Sequence, residues 1–413
     1  MPAGNGALDR ALDRAAIEEW LDRPARQQPE WEDARRAQAC RRTLSSWPGL
    51  VEAADIDRLR RLLAQCAAGE RSVVQAGDCA EAPQDCAPEA VLRKLGLIDA
   101  LAGLWQMTTA TPVVRVGRIA GQYAKPRSAP TEHVDGRPLP VYRGHMVNRP
   151  GTTEAQRRHR PENMLDCYRS AARTLGEMRR LTADADGRPT VWTSHEALVL
   201  DYEVPLLRRD VHGRLFLSST HWPWIGERTR AVDEAHIHLL AAVSNPVACK
   251  LGPSATPREV LALCTALDPQ RVPGRLTFLT RMGAAAVAAK LPDLVRTVRE
   301  AGHPVLWMCD PMHADTVRTD NGLKTRTMEA VTAELSQFRH SVTAAGGIAG
   351  GVHLETTPAP VAECAGAGEQ PDGAPDRYTT LCDPRLNPRQ ALTVLADTAE
   401  PLNGDGEHGS SRT

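Results

Sequence analysis

The feature that most constrains the fold is an alternation of short apolar runs with longer helical stretches, which begins near residue 71. Eight runs are predicted as strands: SVVQAG, PVVRVGRIA, TVWTSHEAL, RLFLSST, PVACKLG, LTFLTRMG, PVLWMCD and GGVHLET. Helix-like segments separate most of them, and this alternation is typical of parallel βαβ units. Eight units predict an α/β chain folded as a closed (β/α)8 TIM barrel, with a doubly wound open sheet as the alternative. No GxGxxG turn follows the first run, which argues against dinucleotide binding.

The two ends of the chain differ from this middle part. Residues 1–70 contain polar segments of helical spacing, interrupted by the prolines of PARQQPEW, and predict an N-terminal helical extension. Residues 71–398 are predicted to form the catalytic barrel domain. Residues 399–413 have the composition of a disordered tail.

Composition excludes several functional classes. A formal net charge of −1 and only 4% aromatic residues give no indication of nucleic-acid binding. No apolar run reaches the roughly 18 residues needed to span a bilayer, and no basic segment followed by an apolar stretch opens the chain as in a secretory signal. The ten cysteines show no CxxC pairs, so we expect free thiols in a reducing cytoplasm.

Reactive side chains follow the predicted strands. In chain order they are Asp78, Cys79 and Glu81, Arg118, His195 and Glu196, Glu227 and Arg228, Lys250, Arg281, Asp310 and His313, and Glu355. The carboxyl ends of barrel strands converge on one face, where barrel enzymes build their active sites. For any one such residue taken alone, a helix cap or a surface charge is the favoured interpretation. Recurrence at eight strand ends favours a shared site.

These side chains fall into two chemical groups. The first is cationic and suits phosphorylated small molecules, because arginine binds phosphate in a bidentate manner; it comprises Arg118, Lys125, Arg127, Arg228, Lys250 and Arg281. The second combines a thiol, an imidazole and two carboxylates: Cys79, His313, Glu355 and Asp383. Such a set could hold Mn2+, Co2+, Fe2+ or Zn2+. From the residues alone, the favoured interpretation of Cys79 is an inert buried thiol, and that of His313 is a cap on the following loop.

Nine motifs, in this order, resemble those of the type II 3-deoxy-D-arabino-heptulosonate 7-phosphate (DAHP) synthases. They are QAGDCAE, RIAGQYAKPRS, SHEALVLDYE, WIGERTR, KLGPS, RMG, CDPMH, GGVHLET and CDPRLNP, and the likeness extends from about Trp20 to Asp397. The resemblance implies a (β/α)8 barrel that condenses phosphoenolpyruvate with erythrose 4-phosphate, the first step of the shikimate pathway. It also implies a divalent metal cofactor, with Mn2+ preferred among the four ions above.

The resemblance also implies roles for individual residues. The metal ligands would be Cys79, His313, Glu355 and Asp383. Phosphoenolpyruvate would be bound by Arg118, Glu227, Arg228, Lys250 and Arg281, with Glu227 acting through water. The phosphate of erythrose 4-phosphate would be bound by Lys125, Arg127 and Ser128 of the KPRS segment. The residues expected to carry the catalysis are Cys79, Arg118, Lys250 and His313.

Three departures from the family pattern stand out. Ala76 occupies the place of a glycine in the usual QGGDCAE. The loop before GGVHLET usually reads THP, but here it is 347–349, Gly-Ile-Ala, and we expect it near the metal end of the barrel. Only LTADADGRPT precedes VWTSHEAL, where long, feedback-regulated members insert two helices. The chain therefore resembles the short members that serve secondary metabolism, which implies weak inhibition by aromatic amino acids.

Two rival functions and two kinds of partner remain open from the sequence. An aminoDAHP synthase would use an imine or amino-sugar phosphate as acceptor, but the intact KPRS segment favours erythrose 4-phosphate. An inactive barrel scaffold that binds a partner enzyme would be expected to lose site residues, and all are present. The short relatives imply a homodimer, and chorismate mutase is a candidate partner.

Overall fold

The eight-stranded barrel predicted from the sequence is confirmed. A computed structural model describes residues 17, 19–20, 22–134, 136–366, 371 and 373–398. The barrel strands are β1 (Ser72–Gly77), β2 (Val113–Arg118), β3 (Val191–Glu196), β4 (Trp222–Ile225), β5 (Val247–Leu251), β6 (Leu276–Thr280), β7 (Leu306–Cys309) and β8 (Ala349–Glu355). Each strand pairs in parallel with its sequence neighbours, and β8 closes the barrel on β1.

Nine longer helices surround the strands in the described part of the chain. They are α1 (Ala34–Ser46), α2 (Ala53–Ala67), α3 (Pro88–Thr109), α4 (Glu162–Thr182), α5 (Ala235–Ala242), α6 (Pro257–Leu267), α7 (Val287–Glu300), α8 (Met328–Ala344) and α9 (Pro388–Thr398). Local sequence explains their starts. Helix α6, for example, begins at Pro257 with a reciprocal capping box between Thr256 and Glu259.

The predicted fourth barrel strand was wrong. The run RLFLSST supplies Leu215–Leu217, which pairs antiparallel with Leu207–Arg209 in a hairpin outside the barrel. The true fourth strand, Trp222–Ile225, has the sequence WPWI and is fully buried. Proline lacks a backbone donor and is depleted in central strands, so this short run does not have the aliphatic pattern by which the other strands are recognised.

The crossover between β3 and β4 lacks a long helix, and the N-terminal segment packs there instead. The short helix Leu200–Glu203 begins this crossover. Trp31 donates its indole N–H to Asp201 over 2.6 Å, and Arg41 pairs with the same carboxylate at 2.6 Å. Helix α1 thus covers a side of the barrel that the regular pattern leaves open.

Helix α2 closes the amino-terminal end of the barrel. Its apolar stripe Ile56, Leu59, Leu63 and Cys66 has helical spacing and is fully buried. Three of these side chains join a cluster with the barrel interior: Leu59, Leu63 and Cys66 pack with Val73, Val114, Val116, Trp192, Trp222, Trp224, Ala248, Leu279, Leu306 and Met308. This end of the barrel is an apolar core.

Two hairpins extend from the opposite, carboxyl-terminal face. One joins Thr131–Val134 to Arg137–Pro140 after β2, and the other joins Val317–Arg318 to Lys324–Thr325 after β7.

The division into an extension over 1–70 and a barrel over 71–398 stays a prediction, and the tail predicted for 399–413 lies outside the described residues. Among the described helices, none has the length and apolarity needed to cross a membrane.

Candidate active site

A cavity of about 880 Å³ opens at the carboxyl ends of the strands. The structure places there every cation predicted from the sequence: Arg118, Lys125, Arg127, Arg228, Lys250 and Arg281. Ser128, Glu227, His313 and Asp383 line the same cavity. The six predicted cations therefore converge on one cavity.

Three of the four predicted metal ligands form a tight cluster at its floor. The sulfur of Cys79 and carboxylate oxygens of Glu355 and Asp383 all lie within 4.8 Å of one another. Cys79 and Glu355 are fully buried, at the ends of β1 and β8. The backbone N–H of Asp383 also donates to the Cys79 sulfur over 3.2 Å. A thiol and two carboxylates this close fit a borderline divalent cation.

His313 adjoins this cluster. Its Nε2 lies 2.9 Å from Glu355 Oε1, so the ring edge faces the other candidate ligands. Its Nδ1 lies 2.8 Å from both carboxylate oxygens of Asp310. A carboxylate that holds the far nitrogen of a histidine is the usual arrangement around metal-binding imidazoles. The fourth predicted ligand is therefore oriented for that role, although it stands outside the tight group of three.

Glu355 is the electrostatic centre of the site. Arg118 and Arg326 donate to it over 2.9 and 3.0 Å, and Lys125 Nζ lies 3.4 Å away. Burial alone would raise the pKa of Glu355, but His313 and these cations outweigh it and hold the pKa well below its usual value. Glu355 is thus kept as a carboxylate, the form that binds cations.

The Cys79 thiol has the opposite tendency. Burial, the hydrogen bond with the Cys382 thiol and the negative charge of Glu355 all raise the pKa of Cys79 above its usual value. A thiolate at this position therefore needs positive charge beside it. Lys125 supplies part of that charge, and a bound divalent cation would supply the rest.

Asp78 and Glu81, which flank Cys79, act as structural anchors. Lys94 of α3 pairs with Asp78 at 2.8 Å, and Arg385 pairs with the other oxygen of Asp78 at 2.8 Å. Glu81 accepts backbone N–H groups from residues 120–122 of the RIAGQ loop over 2.9–3.1 Å. Of the three reactive residues after β1, Cys79 alone belongs to the candidate ligand cluster.

Arg118, Lys250 and Trp224 form the inner wall of the cavity. Lys250 Nζ pairs with Asp310 at 2.7 Å. The cationic groups of Arg118 and Lys250 lie 5.3 and 5.6 Å from the ring centre of Trp224. Burial lowers the pKa of Lys250, and Asp310 opposes that effect only in part. Two buried cations therefore lie beside one indole in the inner part of the cavity.

The KPRS segment forms the outer part of the cavity. Arg228 Nη2 donates to Ser128 Oγ over 2.6 Å, which joins the loops after β2 and β4. The backbone N–H of Arg127 donates to Gln27 Oε1 over 2.8 Å, so the N-terminal segment holds this loop. Glu227 accepts the Gly252 N–H over 2.6 Å and therefore faces the cavity in a fixed orientation.

The two reactive residues at the end of β3 point to different places. Glu196 lines the cavity. Because successive side chains of a strand point to opposite faces, the preceding residue, His195, points the other way. His195 lies away from the cavity, with Nε2 2.9 Å from Glu203 Oε1. His195 therefore has a structural role.

Sequence reasoning missed three cations of the cavity: Arg318, Lys324 and Arg326. Lys324 pairs with Asp383 at 2.7 Å, and Arg326 binds Glu355. They come from the β7 hairpin and the residues that follow it, beyond the predicted strand ends. The cation-rich run VRTDNGLKTR after CDPMH was the available signal.

Two departures from the family pattern have structural answers. Ala76 is buried within β1, and the positive φ of this turn belongs to Gly77, at 151°, where a Cβ would lie 2.7 Å from the Arg118 carbonyl oxygen. The expectation that the loop 347–349 lies near the metal end was wrong. This loop leads into the amino-terminal end of β8, with Ile348 near Gly69 beyond α2, while Glu355 ends the strand on the opposite face.

Fold and site together define a (β/α)8-barrel protein with a cationic cavity above a cluster of candidate metal ligands. A model described as the Class-II DAHP synthetase family matches residues 15–187 and 183–399. The chain belongs to this family of enzymes, as the sequence motifs predicted.

Individual relatives cover nearly the whole chain. A probable phospho-2-dehydro-3-deoxyheptonate aldolase from Pseudomonas fluorescens is 48% identical, over 90% of this chain and 94% of its own. A phospho-2-dehydro-3-deoxyheptonate aldolase from Streptomyces coelicolor is 40% identical, over 92% and 96%. The structure of an aldolase of the same name from Francisella tularensis matches with a TM-score of 0.57, 13% identity and coverage of 92% of this chain and 100% of that one, and supports the fold alone.

Proposed function

We propose that this protein is a DAHP synthase that condenses phosphoenolpyruvate with erythrose 4-phosphate. The observation that carries the proposal is the position of the cationic cavity directly above the cluster of Cys79, Glu355 and Asp383. A cavity of about 880 Å³ is large enough for two small phosphorylated substrates.

The cationic residues would bind and orient the two substrates. Arg118, Lys250 and Arg281 would hold the phosphate and carboxylate of phosphoenolpyruvate in the inner part of the cavity, and Arg228 would reach the same substrate from the loop after β4. The outer KPRS segment, with Arg127 and Ser128, would bind the phosphate of erythrose 4-phosphate. Held between these groups, C3 of phosphoenolpyruvate can approach the aldehyde carbon, so the gain is one of proximity and charge neutralisation. The aldehyde oxygen gains a proton and becomes a hydroxyl, while water adds at C2 and loses a proton. The C2–O bond to the phosphorus-bearing oxygen then breaks, the C2 hydroxyl becomes the ketone, and phosphate leaves.

A divalent metal would be held by Cys79, His313, Glu355 and Asp383, and when bound it would supply Lewis acidity for the aldehyde oxygen. Manganese is the proposed ion, although the mixed ligand set also suits Co2+, Fe2+ and Zn2+. The low pKa of Glu355 and the His313–Asp310 contact support this assignment. The metal content of protein purified without added metal would identify the native ion.

The test of the function is a turnover assay. Metal-stripped protein is mixed with phosphoenolpyruvate and erythrose 4-phosphate, with and without Mn2+, and the product is identified by mass. Metal-dependent formation of DAHP and phosphate is the expected result. Binding of Mn2+ and phosphoenolpyruvate without turnover would contradict it and point to an aminoDAHP synthase with an imine or amino-sugar phosphate acceptor.

A role in secondary metabolism is proposed from the short connection between α4 and β3. Residues 183–190 form a tight turn in which Asp184 and Arg188 pair through their backbones over 2.9 Å, and no helices are inserted. We expect weak inhibition by Phe, Tyr and Trp. Strong inhibition by any of them at sub-millimolar concentration would contradict this expectation.

Compartment and assembly are further parts of the proposal. All ten cysteines are free thiols, which agrees with a cytoplasmic location. A homodimer is the proposed assembly, and light scattering would measure it. Binding of chorismate mutase is a separate proposal, tested by a change in turnover when that enzyme is added.

A further inference from the structure

A line of buried polar side chains lies beneath the cationic wall of the cavity. Gln75 of β1, Ser194 of β3 and His353 of β8 are between 0 and 1% exposed. The barrel interior next to them is apolar, with Val73 and Val116 on the neighbouring positions. Buried polar groups destabilise a core unless each finds a partner. Each of these three side chains therefore needs a hydrogen-bond partner inside the barrel.

Only one assignment of donors and acceptors is consistent with all the hydrogen bonds of this group. A guanidinium can only donate, so His353 Nε2 accepts the hydrogen bond from Arg118 Nη1. The imidazole proton is then on Nδ1, which donates to Gln75 Oε1 over 2.7 Å. Gln75 Nε2 donates to Ser194 Oγ over 2.7 Å, and the Ser194 hydroxyl donates to the Gly117 carbonyl over 3.1 Å. Each link determines the next, and the last one anchors the series on the β2 backbone.

The barrel register places this series directly below the site. Gln75 is the register partner of His353 on β8. Arg118 ends β2, two residues further toward the carboxyl face than the partner of Gln75 on that strand. The edge of the His353 ring meets Trp224 at 5.2 Å and 86°, and the same indole lies beside the guanidinium. Arg118 is thus supported by an imidazole and an indole at once.

Arg118 also has other partners. Its Nη2 donates to Glu355 Oε1 over 2.9 Å, and Glu355 is a candidate metal ligand. The other oxygen of Glu355 is bound by Arg326 over 3.0 Å. Backbone acceptors also hold the Arg118 guanidinium: Nε donates to the Asp78 carbonyl over 3.2 Å and Nη2 to the Cys79 carbonyl over 3.4 Å. The remaining nitrogen, Nη1, has its acceptor at His353 Nε2, so loss of His353 would leave this nitrogen without that partner and the guanidinium less firmly oriented.

We propose that His353 is a positioning residue for the substrate-binding arginine, and that Gln75 and Ser194 fix the imidazole tautomer that accepts from Arg118. The inference rests on the proposed function, because it assumes that Arg118 binds phosphoenolpyruvate. It predicts that the acceptor atom at Nε2, and not the size of the side chain alone, determines how well that substrate binds.

The test compares His353→Leu, which removes the acceptor, with His353→Gln, whose amide oxygen can replace Nε2. The dissociation constant of phosphoenolpyruvate is measured by calorimetry, and KM for both substrates by turnover. We expect His353→Leu to weaken phosphoenolpyruvate binding by about tenfold or more, the range for a hydrogen bond to a charged group. KM for erythrose 4-phosphate should stay within about twofold, and His353→Gln should recover most of the affinity.

Two further variants cover the case in which His353→Leu fails to fold. Gln75→Met removes the acceptor that fixes the tautomer, and Ser194→Ala removes the next link, so the loss of affinity should decrease in that order. The matched control is His221→Leu, because His221 is also a buried histidine but contacts Thr193 outside the site. It should change stability without changing phosphoenolpyruvate affinity.

Several results would overturn the inference. Equal weakening by His353→Leu and His353→Gln would show that the acceptor is irrelevant, and unchanged affinity in His353→Leu would show that Arg118 needs no support. With Gln75→Met, unchanged affinity would exclude the tautomer relay. Failure of the proposed function gives a different pattern: wild-type protein would bind phosphoenolpyruvate but form no DAHP, while the binding comparison would still decide the role of His353.

Discussion

The two ends of the barrel are built from opposite chemistry. At the amino-terminal end, Leu59, Leu63 and Cys66 of α2 seal an apolar interior. At the carboxyl-terminal end, buried charges surround Glu355, which contacts three cations and an imidazole. Apolar burial stabilises a fold without needing exact geometry, whereas buried charges stabilise it only when each is paired. The amino-terminal end therefore contributes mainly to stability, and the carboxyl-terminal end holds the candidate active site. Substitutions at the first end should lower stability, and substitutions at the second should lower activity.

The largest effect on activity is expected from Cys79→Ser. A hydroxyl is a poorer ligand than a thiolate for the ions this site suits, so turnover should fall by about a hundredfold or more, as for loss of a direct electrostatic contribution to catalysis. Binding of Mn2+, followed by electron paramagnetic resonance, should weaken in parallel. Cys264→Ser, at a buried cysteine of α6, is the matched control. Unchanged Mn2+ binding in Cys79→Ser would remove Cys79 from the ligand set.

The largest effect on stability is expected at the other end, from Leu63→Ala. Leu63 is fully buried between α2 and the barrel. The cavity left behind should lower the free energy of unfolding by about 3 kcal/mol, measured by denaturant titration. Leu92→Ala, on the exposed face of α3, is the control. KM for both substrates in Leu63→Ala should match wild type at low temperature, and a large change in either would contradict the separation of the two ends.

The same contrast explains what the sequence could predict. Seven of the eight strands were recognisable because aliphatic runs such as Val73–Val74 are buried on both faces. The remaining strand, β4 (Trp222–Ile225), was not predicted because tryptophan and proline replace the aliphatic residues. Helix α9 was missed as well, since the long segment after β8 separates it from the regular alternation.

The positions of candidate site residues were predictable where they stand at strand ends. Cys79 and Glu355 follow from that position together with the family motifs. Lys324 and Arg326 were not predicted, because only the fold of the β7 hairpin brings them to Asp383 and Glu355. The loop 347–349 lies at the opposite end of the barrel from the prediction, because the seven residues of β8 separate it from Glu355.

Within the carboxyl-terminal end, Arg127→Ala should distinguish the two substrate regions. Arg127 lies in the outer part of the cavity, and the inner cations should be unaffected by its loss. KM for erythrose 4-phosphate should rise about tenfold, the effect of losing one charged hydrogen bond, while KM for phosphoenolpyruvate stays near wild type. Arg137→Ala, on the exposed part of the neighbouring hairpin, is the control. A rise in the phosphoenolpyruvate KM alone would reverse the assignment.

The carboxyl-terminal end should also make stability depend on pH through Glu334. This residue of α8 accepts the N–H groups of Met282 and Gly283 over 2.7 and 2.8 Å and so holds the loop that follows β6. Burial, with a contribution from Asp315, raises the pKa of Glu334 to about 9. A raised carboxyl pKa means that the folded state retains the proton over a range in which the unfolded state loses it. The stability it contributes is complete below pH 4.5 and decreases as the pH rises toward 9.

Glu334→Gln imitates the protonated carboxyl group and should remove this pH dependence. The melting temperatures of the variant and wild type should agree near pH 4.5, and the variant should have the higher melting temperature near pH 9. Glu300→Gln, on the exposed end of α7, is the control. A difference in melting temperature between the variant and wild type that stays constant over the same range would contradict the raised pKa.

The smallest effect is expected from Ile348→His, which restores the family's usual residue in the loop before β8. Ile348 is 39% exposed and lies near Gly69, at the amino-terminal end of the barrel. Because β8 runs its full length between this loop and Glu355, KM for both substrates should stay within about twofold, and stability within about 0.5 kcal/mol, as for ordinary surface positions. A selective change in the acceptor KM would connect the two ends of the barrel, and would make this loop a determinant of the aldehyde or imine that the enzyme accepts.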